Sequence, residues 1–352
     1  MGGATTVSGA GATCCPMTAP SKVCPPVLAL ALALALVLLR VPFCWCWGWW
    51  RCGERADGDA IDRLDLQHHC FRVAYGGATY SAPLASHRPL RRILDLGTGT
   101  GRWAIDLAYQ FPQAHVTGID LSPIQPSWIP ANCDFEVDDV EASWTVAPGS
   151  VDYVHARGLR AAIADWPALL AQVYAALRPG GLVEITELCA PLLQPAGQVA
   201  AEYDSYVHAG LVALGRRWPR LGAEDAGDPG GTGSAGGAGG AGSPRDATDP
   251  DDAEALGDQL VAAGFVGVTV QRARLPVGTW PVQPALKELG AQWQACVLAG
   301  LEGAALAVLT RGLGWTREEV DVLVGNMRRE VAERDAHRVS RAASFVATKP
   351  LG

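Results

Sequence analysis

With 352 residues, 49% of them apolar, the chain has material for one large domain or two ordinary ones, which excludes general disorder. Its formal charge of −8 is concentrated: residues 222–254 carry eight acids against Arg245 alone, so the remainder is close to neutral. No basic face is implied, which argues against direct nucleic-acid binding.

Residues 1–24 are rich in Gly, Ala, Thr and Pro and read as disordered. Residues 25–50 form an apolar block broken by Arg40 and closed by Trp45, Trp47, Trp49 and Trp50. This block reaches the roughly 20 residues of a membrane span only by accepting Arg40. It reads either as an anchor that leaves the following domain cytoplasmic or as a translated artefact of a GC-rich gene model. Six of the ten cysteines precede residue 53. Cys70, Cys133, Cys189 and Cys296 are scattered, without zinc-ligand spacing, and read as buried thiols of an intracellular protein, cytoplasmic or nuclear. No metal site is expected.

From Ala60 to Tyr75 apolar residues recur at helical spacing. Strands are then expected at Arg92–Leu96, His115–Asp120, Asp134–Val137, Val151–His155 and Leu182–Glu187, with helices at Trp103–Tyr109 and Trp166–Leu177. Arg178-Pro179-Gly180-Gly181 reads as a stop and turn. Strands alternating with helices imply a parallel sheet covered on both faces. Residues 222–252 are an acidic, Gly-rich, low-complexity insertion. Beyond it follow a helix at Leu256–Gly264, a strand at Val266–Ala273 and a long apolar helix at Gln283–Arg311. A capping box at Thr316–Glu319 opens a helix to about Asp335, and Ser344–Thr348 fits a last strand.

The chemistry is concentrated where the first strand ends. Ile93-Leu94-Asp95-Leu96 enters Gly97-Thr98-Gly99-Thr100-Gly101, and a helix follows. Glycines let the backbone turn sharply and approach a ligand, and the helix N-terminus offers free N–H groups. The third glycine of the dinucleotide fingerprint would fall on Arg102, which argues against a nicotinamide dehydrogenase. The D-x-G-x-G-x-G pattern is instead that of S-adenosylmethionine sites in Rossmann-like methyltransferases. Asp120, 19 positions beyond Gly101, suits ribose hydroxyls, or alternatively caps Leu121-Ser122-Pro123. Asp138-Asp139-Val140 follows the third strand, where an acid can accept an adenine amino group; Asp139 is the preferred one. His155 and Arg157 close the fourth strand, and His155 is the candidate base by position, its alternative being a packing histidine. His68 and His69 lie on the first helix, where they could close over the cofactor, although helix-surface histidines are usually solvated.

Several segments resemble the LaeA-like fungal methyltransferases, a class I family that includes a velvet-complex regulator of secondary metabolism. They are Arg63-Leu64-Asp65-Leu66-Gln67-His68-His69, the glycine loop with its strand, and Gly118-Ile119-Asp120-Leu121-Ser122-Pro123-Ile124-Gln125-Pro126. Phe135 to Glu141 with Trp144, Asp165 to Leu170, Leu177 to Gly181, Leu313 to Val320 and His337 extend the match. The resemblance covers about residues 57–350, interrupted by the 222–252 insertion. It implies a Rossmann-like α/β fold with a seven-stranded sheet, helices on both faces and a helical C-terminal addition. S-adenosyl-L-methionine is the implied cofactor, with Asp95, Gly97, Gly99, Gly101, Asp120 and Asp139 carried over as its motif residues; Thr98, Leu121, Asp138 and Val140, adjoining them in the sequence, complete the expected cofactor-binding set. It leaves two functions open: methylation of a small secondary metabolite, or a cofactor-binding regulatory role through protein partners. Arg102 departs from the pattern, standing where an apolar residue is expected before Trp103, and an arginine at a helix N-terminus opposes the dipole.

Overall fold

The computed structural model describes residues 58–86, 89–189, 191–216 and 256–351. The apolar block at 25–50 and the 222–252 insertion lie outside them. Helix α1 (Gly58–Ala74) comes first, then β1 (Arg92–Leu96), α2 (Arg102–Gln110), β2 (His115–Asp120), β3 (Cys133–Val137) and β4 (Val151–Arg157). Next come α3 (Trp166–Ala176), β5 (Leu177–Leu188), α4 (Gln198–Ala213), α5 (Leu256–Ala262) and β6 (Val266–Pro276). Helices α6 (Pro284–Gly312) and α7 (Arg317–Val331) precede the last strand, β7 (Val339–Thr348).

The seven strands lie in the order β3-β2-β1-β4-β5-β7-β6. Strands β1 to β5 pair in parallel, whereas β7 runs antiparallel to both β5 and β6. The sheet is therefore mixed, a correction to the all-parallel expectation. Alternation along the strands divides the core in two. Ile93, Tyr153 and Leu182 pack with Trp103, Ala104 and Leu107 of α2. Leu94, Val154 and Val183 turn the other way, toward Leu169, Leu170 and Val173 of α3.

Local signals set several boundaries. Asp165 caps α3 by accepting the Ala168 amide at 2.9 Å, and Thr316 and Glu319 form the reciprocal box that opens α7. Strand β5 begins before the expected stop and turn: Leu177 already pairs with Val151, and Arg178–Gly181, with Gly180 at φ 76°, form an irregularity before pairing resumes at Leu182. Helix α4, absent from the expected elements, crosses α6 closely. A Cβ at Gly312 would lie 2.4 Å from the Gly210 carbonyl oxygen. Helix α6 is long and apolar enough to cross a membrane, but half of its most apolar stretch is buried inside the protein. It behaves as a core helix, packed on α1, α4 and α7.

Candidate functional site

The carboxyl ends of β1 and β4 open on a cleft of about 620 Å³, including space open to solvent, walled by α1 and the loop entering α2. Open α/β sheets bind ligands at this end of their strands. Gly97, Gly99 and Gly101 all adopt positive φ, between 58° and 76°. Gly97 and Gly101 also have no room for a side chain: a Cβ would lie 2.3 Å from Leu159 Cδ2 and 2.3 Å from Phe135 Cζ respectively. At Gly99 the nearest atom would be Leu64 Cδ1 at 3.9 Å, so this glycine leaves space on the cleft side.

Hydrogen bonds fix the middle of the loop, at Thr98, Gly99 and Thr100. Thr98 donates its hydroxyl to Asp95 Oδ2 at 2.6 Å, and Gly99 donates its amide to Asp120 Oδ2 at 2.8 Å. Gln125 Nε2 donates to the Gly99 carbonyl at 2.7 Å, and Thr100 donates its hydroxyl to Asp65 Oδ1 at 2.6 Å. Asp65 and Gln125 were not singled out as site residues in the sequence, although each lies inside a segment that carries the family resemblance.

Asp95 and His155 stand opposite each other in the β1–β4 register and are each 2% exposed. His155 Nδ1 lies 2.7 Å from Asp95 Oδ1. The carboxylate accepts there, which assigns the ring proton to Nδ1 and leaves the Nε2 lone pair free to take a proton. Trp103 stacks flat on the imidazole, with centroids 3.7 Å apart and planes 5° from parallel. Trp103 is held in turn by donating Nε1 to the Thr79 carbonyl at 2.7 Å.

His68 corrects the expectation of a solvated histidine, being 3% exposed. Arg157 Nη2 lies 3.1 Å from its Nδ1, and Asp106 Oδ2 lies 3.1 Å from its Nε2. Arginine can only donate, so Nδ1 accepts and Nε2 carries the proton. Burial holds the His68 pKa down to about 4 against the opposing Asp106 bond. Asp106 also takes Arg72 Nη1 at 3.1 Å and Arg102 Nε at 3.8 Å. Burial pushes the Asp106 carboxyl up, but these partners outweigh it and leave its pKa lowered. The Arg102 departure is thus answered one turn along, by an acid at i+4.

The other expected residues divide. Asp95, Gly97, Thr98, Gly99 and His155 line the cleft. Asp120, 3% exposed, turns Oδ1 to the Ser122 amide at 2.9 Å and Oδ2 to Gly99. Gly101 caps α2. Leu121, Asp138, Asp139 and Val140 lie outside the cleft wall: Asp138 is exposed, and Asp139 accepts the Glu141 amide at 2.9 Å. Val140 accepts the Trp144 indole N–H at 2.9 Å, so that tryptophan packs as core. Among the described residues no group of three or more His, Cys, Asp or Glu is placed to hold a metal ion.

Comparison with known proteins bears on this geometry. The sequence pattern of a methyltransferase-domain family matches residues 67–269. The chain is 36% identical over 290 residues to methyltransferase pytC of Aspergillus terreus, covering 82% of this chain and 80% of that protein. It is 33% identical over 294 residues to the secondary metabolism regulator LAE1 of Cochliobolus heterostrophus, covering 82% and 87%. The secondary metabolism regulator laeA of Aspergillus fumigatus is 30% identical over 298 residues, covering 84% and 72%.

Proposed function

Because the chain belongs to the methyltransferase-domain family, with pytC and the laeA-type regulators among its relatives, we propose that it uses S-adenosylmethionine to methylate a small metabolite. One observation carries the reading: a glycine loop without room for side chains at Gly97 and Gly101, set above a buried Asp95–His155 pair. The cofactor supplies a methyl group on a sulfonium, a good leaving group. The chain's part is to bind, orient and move one proton, and orientation alone can account for much of the barrier reduction.

Asp95, Gly97, Thr98, Gly99 and Gly101 are assigned to the amino-acid end of the cofactor. Asp120 is assigned to the ribose. Its carboxylate accepts the Gly99 and Ser122 amides, which fixes it at the end of the second strand beside the loop, where Rossmann-type sites hold ribose hydroxyls. Leu121, Asp138, Asp139 and Val140 are assigned to the adenine side. His155 is the base, with Nδ1 tied to Asp95 and Nε2 left to take the acceptor's proton. We read residues 57–350 as the methyltransferase domain, located inside the cell.

Titration calorimetry of the full chain with S-adenosylmethionine tests this. Binding is expected, weakened about tenfold or more by Asp120→Ala, which removes a charged acceptor worth roughly 1.5–3 kcal/mol. A folded protein that does not bind the cofactor overturns it.

A second reading rests on the 33% identity to a regulator: a cofactor-binding protein that acts through protein partners. Incubation with methyl-labelled cofactor and host extract separates the two. Label in a small molecule supports the enzyme, and label in a protein band or stable partners without turnover supports the regulator.

A further inference from the structure

Past His155 and Arg157 the cleft continues into a second cavity of about 290 Å³, including its mouth, between α1, residues 78–81 and β5. Phe71, His155 and Arg157 line both compartments. Its apolar wall is aromatic: Phe71 and Tyr75 stack with centroids 6.4 Å apart and planes 10° from parallel. Arg157 lies over the Phe71 ring, 5.3 Å from its centroid, and is steadied by His68.

The polar groups of this cavity differ in one respect. Glu184 is fully engaged by the protein itself. It accepts the Ala82 amide at 2.7 Å, the Tyr153 hydroxyl at 2.9 Å, the Ser344 hydroxyl at 3.1 Å and the Ser81 amide. The Tyr75 hydroxyl is buried with no hydrogen-bond partner. Burial, then the Glu184 carboxylate and Cys189, raise its pKa against the opposing pull of Arg157, so it remains a donor. A buried hydroxyl left unpaired costs about 1–3 kcal/mol.

We propose that this second cavity is the acceptor compartment and takes a small planar hydroxy compound, a phenol or enol with a second oxygen beside the methylated hydroxyl. The second oxygen accepts from Tyr75, and the proposal rests on the cofactor reading above. Arg157 favours an oxygen nucleophile over an ammonium group, and Glu184 has its oxygens committed. In the transfer, the acceptor oxygen bonds to the methyl carbon as the carbon–sulfur bond breaks, its electron pair staying on sulfur. The hydroxyl proton passes to His155 Nε2, and Asp95 holds the resulting imidazolium at Nδ1.

The test uses the full chain with S-adenosylhomocysteine bound and catechol as the probe, benzylamine serving as the amine counterpart. Catechol is expected to bind saturably and benzylamine not to. Tyr75→Phe is expected to weaken catechol about tenfold, leave S-adenosylhomocysteine affinity within about twofold, and melt no lower than the parent. The proposal is overturned by catechol affinity indifferent to Tyr75→Phe, by tighter benzylamine binding, by no catechol binding to the loaded protein, or by a lower melting temperature. Failure to bind S-adenosylhomocysteine at all overturns the cofactor reading as well.

Discussion

Gly99 and Gly101 occupy the same loop under different constraints, and alanine separates them. Both have positive φ, 58° and 76°, a conformation that costs an L-residue roughly 1–2 kcal/mol. Gly99→Ala adds little beyond that, because its Cβ meets nothing nearer than 3.9 Å. Gly101→Ala drives a methyl into the Phe135 ring at 2.3 Å and 2.6 Å, adding about 1–3 kcal/mol of overpacking. Urea unfolding is expected to place Gly101→Ala about 2 kcal/mol below Gly99→Ala. Calorimetry is expected to show the reverse order for the cofactor: Gly99→Ala folds but fills the cleft, losing tenfold or more in affinity. The same contrast explains what the sequence disclosed at this scale. Asp95, the three glycines and Asp120 are legible because strand, loop and helix follow one another along the chain. Glu184, Tyr75 and His68 acquire their surroundings only when α1 and residues 78–82 dock on the sheet, and no local spacing announces that.

The two helix starts of the C-terminal region show the same division between near and far. Helix α7 is capped by its own Thr316 and Glu319, a four-residue signature that can be read directly. Helix α4 begins at Gly197 with no side-chain cap of its own. Its first amides are taken by Glu330 of α7: Gly197 at 3.1 Å, Val199 at 2.9 Å and Ala200 at 3.3 Å. A Cβ at Gly197 would sit 2.5 Å from that carboxyl group, so the glycine keeps the cap seated. Glu330 is 7% exposed and also meets Arg338 at 3.5 Å. Glu330→Ala therefore leaves three buried or half-buried amides without their acceptor and takes one of two carboxylates from Arg338, which keeps Glu333 at 2.8 Å. It is expected to cost about 3 kcal/mol in chemical denaturation, against about 1 kcal/mol for Thr316→Ala. Equal costs would mean that the distant cap adds nothing. The Arg178–Gly181 turn signal is local in the same way: Gly180 takes a positive φ of 76°, and regular pairing with β4 and β7 runs only from Leu182 onward.

Across the whole molecule, buried titratable groups set opposing slopes of stability against pH. Burial lowers His68 from 6.5 to about 4. The unfolded chain therefore binds a proton between these values that the folded chain does not. The stability contributed by neutral His68 is present above about 6.5 and is lost as pH falls toward 4. Glu187 runs the other way. Burial raises it from 4.5 to about 7, against the pull of Arg160 and of the Leu159 and Arg160 amides that it accepts at 2.8 and 3.0 Å. The folded chain keeps a proton there that the unfolded chain releases, so this contribution is present below about 4.5 and is lost as pH rises through 7. Asp204, raised from 3.8 to about 6 by burial, adds to the loss. Glu187 also anchors the segment whose Leu159 packs against Gly97, so the same carboxyl supports the cleft. Glu187→Gln keeps the acceptor oxygen and removes the titration. Between pH 5 and pH 7 it is expected to gain about 2 kcal/mol relative to the parent protein, measured as the change in unfolding free energy in urea at the two pH values. An unchanged difference would place the Glu187 titration outside this interval. A gain confined to pH 5 would reverse its sign.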